Sequence, residues 1–447
     1  MRKLLLVVLM VLVAVGFVVP STAFAQSSEP EITLTWWINP WRIRPPGFPE
    51  DQSPTGEEFP AYISQQFMEL HPNVTVEYEV VPNAGFDEKV TTAIFAGSPP
   101  DVLRWWNPTW VYDGVLEPID DYLTAEDRAD FIDYTLEAGF VDGHYYMWPW
   151  NNSNNGMGST LMLNVDAFEE AGIPLPDPMA GWTIDEFMDV ARQFKEAGMY
   201  AITLAASDTH NMLAWLHRFG ARTMNEDATE FVLNSPEGVR GLQLMIEMIN
   251  VEEVAPRGAE GLGVYDAIDN LHQERAAMGY GGIYEIGRID RYVKEGRLEE
   301  PLEVVLAPFP HDPAVGPVAF QTSGGFVVFR QTDDYQRDMA MEFARFVTNT
   351  ENIALLEDLL YITARKSANA QLTFERVQAY TDVQRQVEVY TNAIDYGVEY
   401  FGPSTFDWGI VNDFFVSAMQ AAFSGDMSAQ QALDEFVRQA NAAAFGR

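Results

Sequence analysis

Cysteine is absent from the 447 residues. Its absence excludes disulfides, a thiolate nucleophile and any Cys-ligated zinc or iron–sulfur site, so packing alone must hold the chain together. Lysine is nearly as scarce: Lys3, Lys89, Lys195, Lys294 and Lys366 are the whole set. Basic residues number 27 against 66 acids, a formal charge of −39. Phosphate neutralisation needs clustered cations, so this balance excludes a nucleic-acid binder working through a general basic surface. A surface so strongly of one sign is expected to stay soluble and monomeric. Catalytic signatures are missing as well, with no Gly-x-Ser-x-Gly elbow, no P-loop and no His-Glu-x-x-His. The six histidines are scattered; His210 and His217, seven apart on one helix face, lack a third ligand, and neither metal nor cofactor is expected.

What is present is a foldable composition. Hydrophobic residues make up 47% and charged residues 21%, which suits a globular chain rather than a disordered acidic one. At this length two lobes or domains are the default. The first 25 residues stand apart: Arg2-Lys3, an apolar run from Leu4 to Val19, then Ala23-Phe24-Ala25 before Gln26. That is the form of a cleaved secretory signal peptide. The apolar run is shorter than the ~20 residues a spanning helix needs. With no cysteine for a lipobox, the mature protein is expected to be freely diffusing in the periplasm or outside the cell.

Beyond the signal, short strands alternate with amphipathic helices. Ile32 to Trp37 alternates as a strand, Pro60 to Leu70 reads as a helix and Val74 to Val81 as a second strand. Strand, helix and strand at this spacing predict a parallel βαβ unit. Between strand and helix lies a long Pro-, Gly- and acid-rich insertion, Arg42 to Glu58, of the kind that shapes one end of a site. A helix is expected over Phe86 to Ala96 and a strand over Asp101 to Trp106. Thr183 stands three residues before Glu186, the spacing of a capping box.

The run with His71-Pro72-Asn73-Val74, Gly97-Ser98-Pro99-Pro100-Asp101-Val102 and Leu116-Glu117-Pro118-Ile119-Asp120 resembles the first lobe of family 1 extracellular solute-binding proteins of ABC importers. The resemblance continues through Leu161 to Ile173, Gly181-Trp182-Thr183, Glu274 to Gly282, Ser323 to Val328, Ala340 to Thr348 and Ala432-Leu433-Asp434. It covers nearly the whole mature chain, and the order of the motifs carries it. Leu163 stands where the family commonly has Tyr, and Ile283-Tyr284 where a Trp often follows the glycine pair. The resemblance implies an α/β, two-lobed periplasmic-binding-protein-like fold of type II, its discontinuous lobes joined by hinge strands. Lobe one is expected at 27–150 and 308–350, lobe two at 151–307 and 351–447. It also implies a carbohydrate ligand held in the interlobe cleft and a membrane permease as partner, without catalysis.

Side chains at the expected cleft agree in character. A sugar ring offers an apolar C–H face and a hydroxyl rim, which aromatic plates and amides suit. Trp37, Asn39 and Trp41 follow the first strand; Trp105, Trp106 and Asn107 follow the Pro-Asp-Val strand; Trp148, Trp150, Asn151 and Asn154 stand at the first crossover. Alternation places one member of Trp36/Trp37 and one of Trp105/Trp106 in the core without saying which. Trp105 aligns with a sugar-stacking position of the family. Trp110, Trp182 and Trp215 read as packing residues. Tyr280, Gly282 and Tyr284 form a strand end where glycine allows close backbone approach. Ser323, Gly324 and Gly325 resemble the family's strand entry beside the cleft, Arg365 holds the position of its Pro-x-Arg motif without the Pro, and Trp408 sits where a further stacking aromatic is common.

Two other readings share these features. Secreted, acidic and Trp-rich also describes a glycoside hydrolase, although 66 acids make carboxylate pairs uninformative. The acidity could also serve a cationic or peptide ligand, but runs such as Asp120-Asp121 and Glu126-Asp127 are those of solvated helix faces.

Overall fold

The computed structural model describes residues 29–446 except 50–51, 153–157, 301, 321–322, 379, 395 and 399–407. The signal peptide expected at 1–25 and the candidate Asn154 lie outside the described residues. In chain order the strands are β1 (Ile32–Ile38), β2 (Val74–Val80), β3 (Val102–Arg104), β4 (Phe140–Val141), β5 (His144–Tyr145), β6 (Trp148–Asn152), β7 (Thr160–Asn164), β8 (Tyr200–Ile202), β9 (Ala276–Tyr280), β10 (Val304–Pro308), β11 (Ala319–Phe320), β12 (Ser323–Val328) and β13 (Gly397–Val398).

The first sheet has the order β2-β1-β3-β12-β6. β1 runs parallel to β2 and β3, with the helix Glu58–Leu70 joining β1 to β2, so the expected βαβ unit is present. β12 is antiparallel to both neighbours. The period of two sorts its side chains cleanly. Leu34, Trp36, Ile38, Val102, Trp148, Trp150, Phe326 and Val328 enter one core with the helices Glu58–Leu70 and Asp334–Val347. Leu103, Met147 and Val327 enter another on the opposite face, with Phe86 and Val90 of the helix Phe86–Phe95.

The second sheet has the order β10-β7-β9-β8. Leu161 and Leu163 face a large core shared with the helices Ile184–Glu196, Thr209–His217, Pro236–Asn250 and Ala429–Phe445. Met162, Val304 and Leu306 face the other side, under Ile286 and Ile289 of the helix Ile283–Lys294. The Thr183 capping box forms, the threonine hydroxyl accepting from the Glu186 N–H while the Glu186 carboxylate accepts from the Thr183 N–H. Trp110, Trp182 and Trp215 are buried, as packing residues should be.

Lobe membership differs from the expected boundaries. Phe309 and Phe320 belong to the second sheet's core, whereas Ile353, Leu356, Ala364 and Ala368 belong to the first sheet's. Amphipathic spacing tells that a helix buries one side; which sheet it covers is set by chain path, which local pattern does not encode. Residues 360–364 straddle both units. Leu360 and Ile362 join the second sheet's outer core while Tyr361 packs against the first. Backbone bonds from Asn152 N to Ile362 O (3.1 Å) and Ala364 N to Trp150 O (3.0 Å) fasten this strap beside β6. The 42–58 insertion is anchored too: Ile43 is fully buried and Arg44 pairs with Asp358 at 2.8 Å.

Candidate functional site

The carboxyl ends of β1, β3 and β6 meet the start of β12 at one edge of the first sheet. Arg104 closes β3 on the same face as Val102, so its side chain rises among residues that elsewhere on that face are apolar. Its guanidinium lies over the rings of Trp41 (4.4 Å) and Trp150 (5.3 Å), within cation–π range. Nη2 donates to Asn151 Oδ1 at 2.9 Å. Trp41 meets Trp150 and Tyr361 edge-on, with centroids 4.7 and 5.2 Å apart. Tyr361 in turn stacks on Tyr284 of the second unit at 5.7 Å and 22°. An aromatic run therefore crosses from one unit to the other, with Arg104 and Asn151 along its flank.

Two glycines make this edge possible. A Cβ at Gly324 would stand 2.8 Å from Asn151 Oδ1 and 3.2 Å from Arg104 Nη2, and one at Gly325 would stand 2.1 Å from Trp148 O. The pairing register shifts between them. Ser323 donates to Asn151 O at 3.0 Å. Buried Asn39 donates to Asn83 Oδ1 at 2.9 Å, its own Oδ1 having no partner among the described residues.

On the second unit, Tyr284 lies in the first turn of the helix that Gly282 caps. Burial, then the neighbouring Glu285, pushes its phenol well above the ordinary range. Asp208 caps the helix Thr209–His217 and accepts from Asn211, yet burial pushes its carboxyl up to about 6. Glu285, buried beneath Gly281, is pushed up by burial to about 7, with Arg288 at 2.7 Å opposing the shift. Burial likewise draws Arg104 down to about 10. The edge thus brings together aromatic rings, a guanidinium and amide groups.

The remaining candidates are placed elsewhere. Trp37 is half-buried on the opposite sheet face, its ring covered by Lys89 Nζ at 4.3 Å, while Trp36 fills the core. Trp105 and Trp106 lie beyond β3, which ends at Arg104, so alternation does not apply and both are half-buried. Trp105 packs on Phe86, and the Trp106 indole N–H has no acceptor among the described residues. Asn107 accepts from the Thr109 N–H and hydroxyl. Trp148 and Trp150 have no exposed surface. Tyr280 is buried, stacking on Phe309 and accepting from Trp215 Nε1 at 2.9 Å. Trp408 packs on Phe231, Phe415 and Phe436. Arg365 is buried against Asp127 (2.8 Å) and Asp130 (3.2 Å), so its position in the motif serves an internal ion-pair network. Sequence reasoning passed over Arg104 and Tyr361. A charge in phase with the buried residues of β3 is a signal that points to Arg104; Tyr361 has no local signal.

Comparison with known proteins bears on this arrangement. The family model of bacterial extracellular solute-binding proteins matches residues 50–354. The chain belongs to that family. Among curated solute-binding relatives, the maltotriose-binding protein of Pyrococcus abyssi is 24% identical over 67% of this chain and 62% of its own. A binding protein of Brucella abortus is 29% identical over 42% of this chain, which spans about half, 46%, of that relative's length. Two solved structures have the same fold. The cyclic alpha-maltosyl-1,6-maltose binding protein of Arthrobacter globiformis aligns with a TM-score of 0.72 at 19% identity, covering 93% of this chain and 99% of that one. The GacH receptor of Streptomyces glaucescens aligns at 0.71 and 19%, covering 92% and 97%. The architecture of this solute-binding protein is accordingly the two-lobed, type II α/β fold of maltose-binding-type proteins.

Proposed function

We propose that this solute-binding protein captures a saccharide between its two lobes and delivers it to the permease of an ABC importer, without chemical change. The observation that carries the reading is the aromatic run Trp41, Tyr361 and Tyr284, which joins the lobes beside Arg104 and Asn151. Sugar C–H faces pack on such rings while hydroxyls bond to the guanidinium and amide groups. The maltotriose-binding and cyclic-maltosyl-maltose-binding relatives supply the same direction. The relatives are binding proteins by name, which favours capture over the hydrolase alternative. Residues 1–25 act as a cleaved export signal, and an intact mass starting at Gln26 is expected for the monomeric exported protein.

An oligosaccharide panel including maltotriose tests the reading. A ligand is expected to raise the melting temperature, compact the scattering profile through hinge closure and come back intact on chromatography. Trp41→Ala and Tyr361→Ala should each weaken the bound saccharide about 10-fold or more by calorimetry. Release of a shortened sugar, or wild-type affinity in both variants, would sink the assignment.

A further inference from the structure

We propose that the saccharide taken by this site carries a carboxylate and that Arg104 is the residue that pairs with it. The inference rests on the saccharide reading above and names its ligand class.

Arg104 is 8% exposed, and its guanidinium lies against the rings of Trp41 and Trp150. A buried arginine ordinarily has an anion, because a desolvated charge left unpaired is costly. Here none of the described carboxylates lies within ion-pair distance, and one hydrogen bond, to Asn151 Oδ1, engages a fork of five donors. Nε is buried without an acceptor among the described residues. Aromatic faces attract the cation but accept nothing at the fork's in-plane edge. Burial lowers the guanidinium's affinity for its proton to about 10, so it stays charged at neutral pH.

Arg365, buried to a similar degree, differs in having two aspartates, Asp127 and Asp130, facing it. Acids outnumber cations 66 to 27, so a partner for Arg104 was not wanting in the composition. Gly324 leaves room for the one bond the fork does make, since a Cβ there would stand 2.8 Å from Asn151 Oδ1 and 3.2 Å from Nη2. A planar fork of one positive charge matches a carboxylate bidentately, with charge and geometry both satisfied. Trp41, half-buried beside it, suits the pyranose that bears the carboxylate, as in an oligo-uronide.

The test uses the exported full chain in calorimetry with di- and trisaccharides of galacturonate, glucuronate, mannuronate and guluronate, each paired with its carboxyl-reduced neutral counterpart. At least one uronide is expected to bind about 100-fold more tightly than its neutral partner. Arg104→Gln should bring that ratio to within about threefold, and Arg104→Lys, which keeps the charge and loses the fork, should leave an intermediate ratio. If Arg104→Gln fails to fold, the wild-type ratio and the lysine variant decide. Neutral saccharides binding as well as every uronide would overturn the proposal while leaving saccharide capture standing, as would a preference unchanged in the variants. Failure of both panels together with maltotriose would overturn saccharide capture and this inference with it.

Discussion

Arg365→Met is expected to destabilise the protein by about 3–5 kcal/mol, read as a lower urea midpoint, with affinity for the proposed saccharide retained in the folded fraction. Arg365 is 4% exposed, donates to Thr348 O through Nε, lies over the Phe131 ring at 4.0 Å and pairs with Asp127 and Asp130. Removing it leaves Asp127, itself 5% exposed, with Arg345 as its remaining cation at 3.0 Å. Burial pushes the Asp127 carboxyl up, but hydrogen bonds from Thr124 and Arg365 and the nearby guanidinium groups outweigh it and hold the group below the usual carboxylate range. A carboxyl depressed in this way stabilises the fold above its unfolded value of about 4, and the contribution is lost as pH falls through the folded value. The penalty of Arg365→Met should therefore shrink in acid. Asp127→Asn combined with Arg365→Met should cost less than the two changes added. Unchanged stability with abolished saccharide binding would instead make Arg365 a ligand residue.

Glu285→Gln carries the second large effect, and its signature is pH dependence. Glu285 is 1% exposed; burial raises its carboxyl to about 7, with Arg288 and Arg291 opposing and Asp269 adding to the shift. A carboxyl raised above its unfolded value binds its proton more tightly when folded, so ionising it opposes folding. Stability is lost as pH rises from about 4.5 through about 7. Relative to wild type, Glu285→Gln is expected to gain up to about 3 kcal/mol between pH 5 and pH 7.5. His272, pulled down to about 4 chiefly by burial, contributes in the opposite sense below its ordinary value, so the difference between variant and wild type is the quantity to measure. Parallel stability curves for the two proteins would refute the assignment.

Legibility varied with the range of the interaction responsible. β1 and β2 were readable within a residue, because alternating apolar and β-branched side chains need only the backbone's period of two. The Thr183 cap was readable because both partners lie within one turn. The Trp36/Trp37 pair was readable as a split, while the choice of buried member came from the helices Glu58–Leu70 and Asp334–Val347 covering one face. At Trp105/Trp106 even the split failed, because the strand stops one residue earlier. Arg365 matched a family motif, yet its partners lie more than 200 residues away, at Asp127 and Asp130.

From its sequence alone this chain was determined to be an acidic, cysteine-free α/β protein with ordered family motifs, because composition, periodicity and capping are local properties. Tertiary structure alone decided that Ile353, Leu356, Ala364 and Ala368 join the first sheet's core, that Tyr361 bridges Trp41 and Tyr284, and that Arg104 is buried with none of the described carboxylates at ion-pair distance. Those facts depend on which distant segments share a face or a sheet edge, and chain path sets that where hydrophobic pattern cannot.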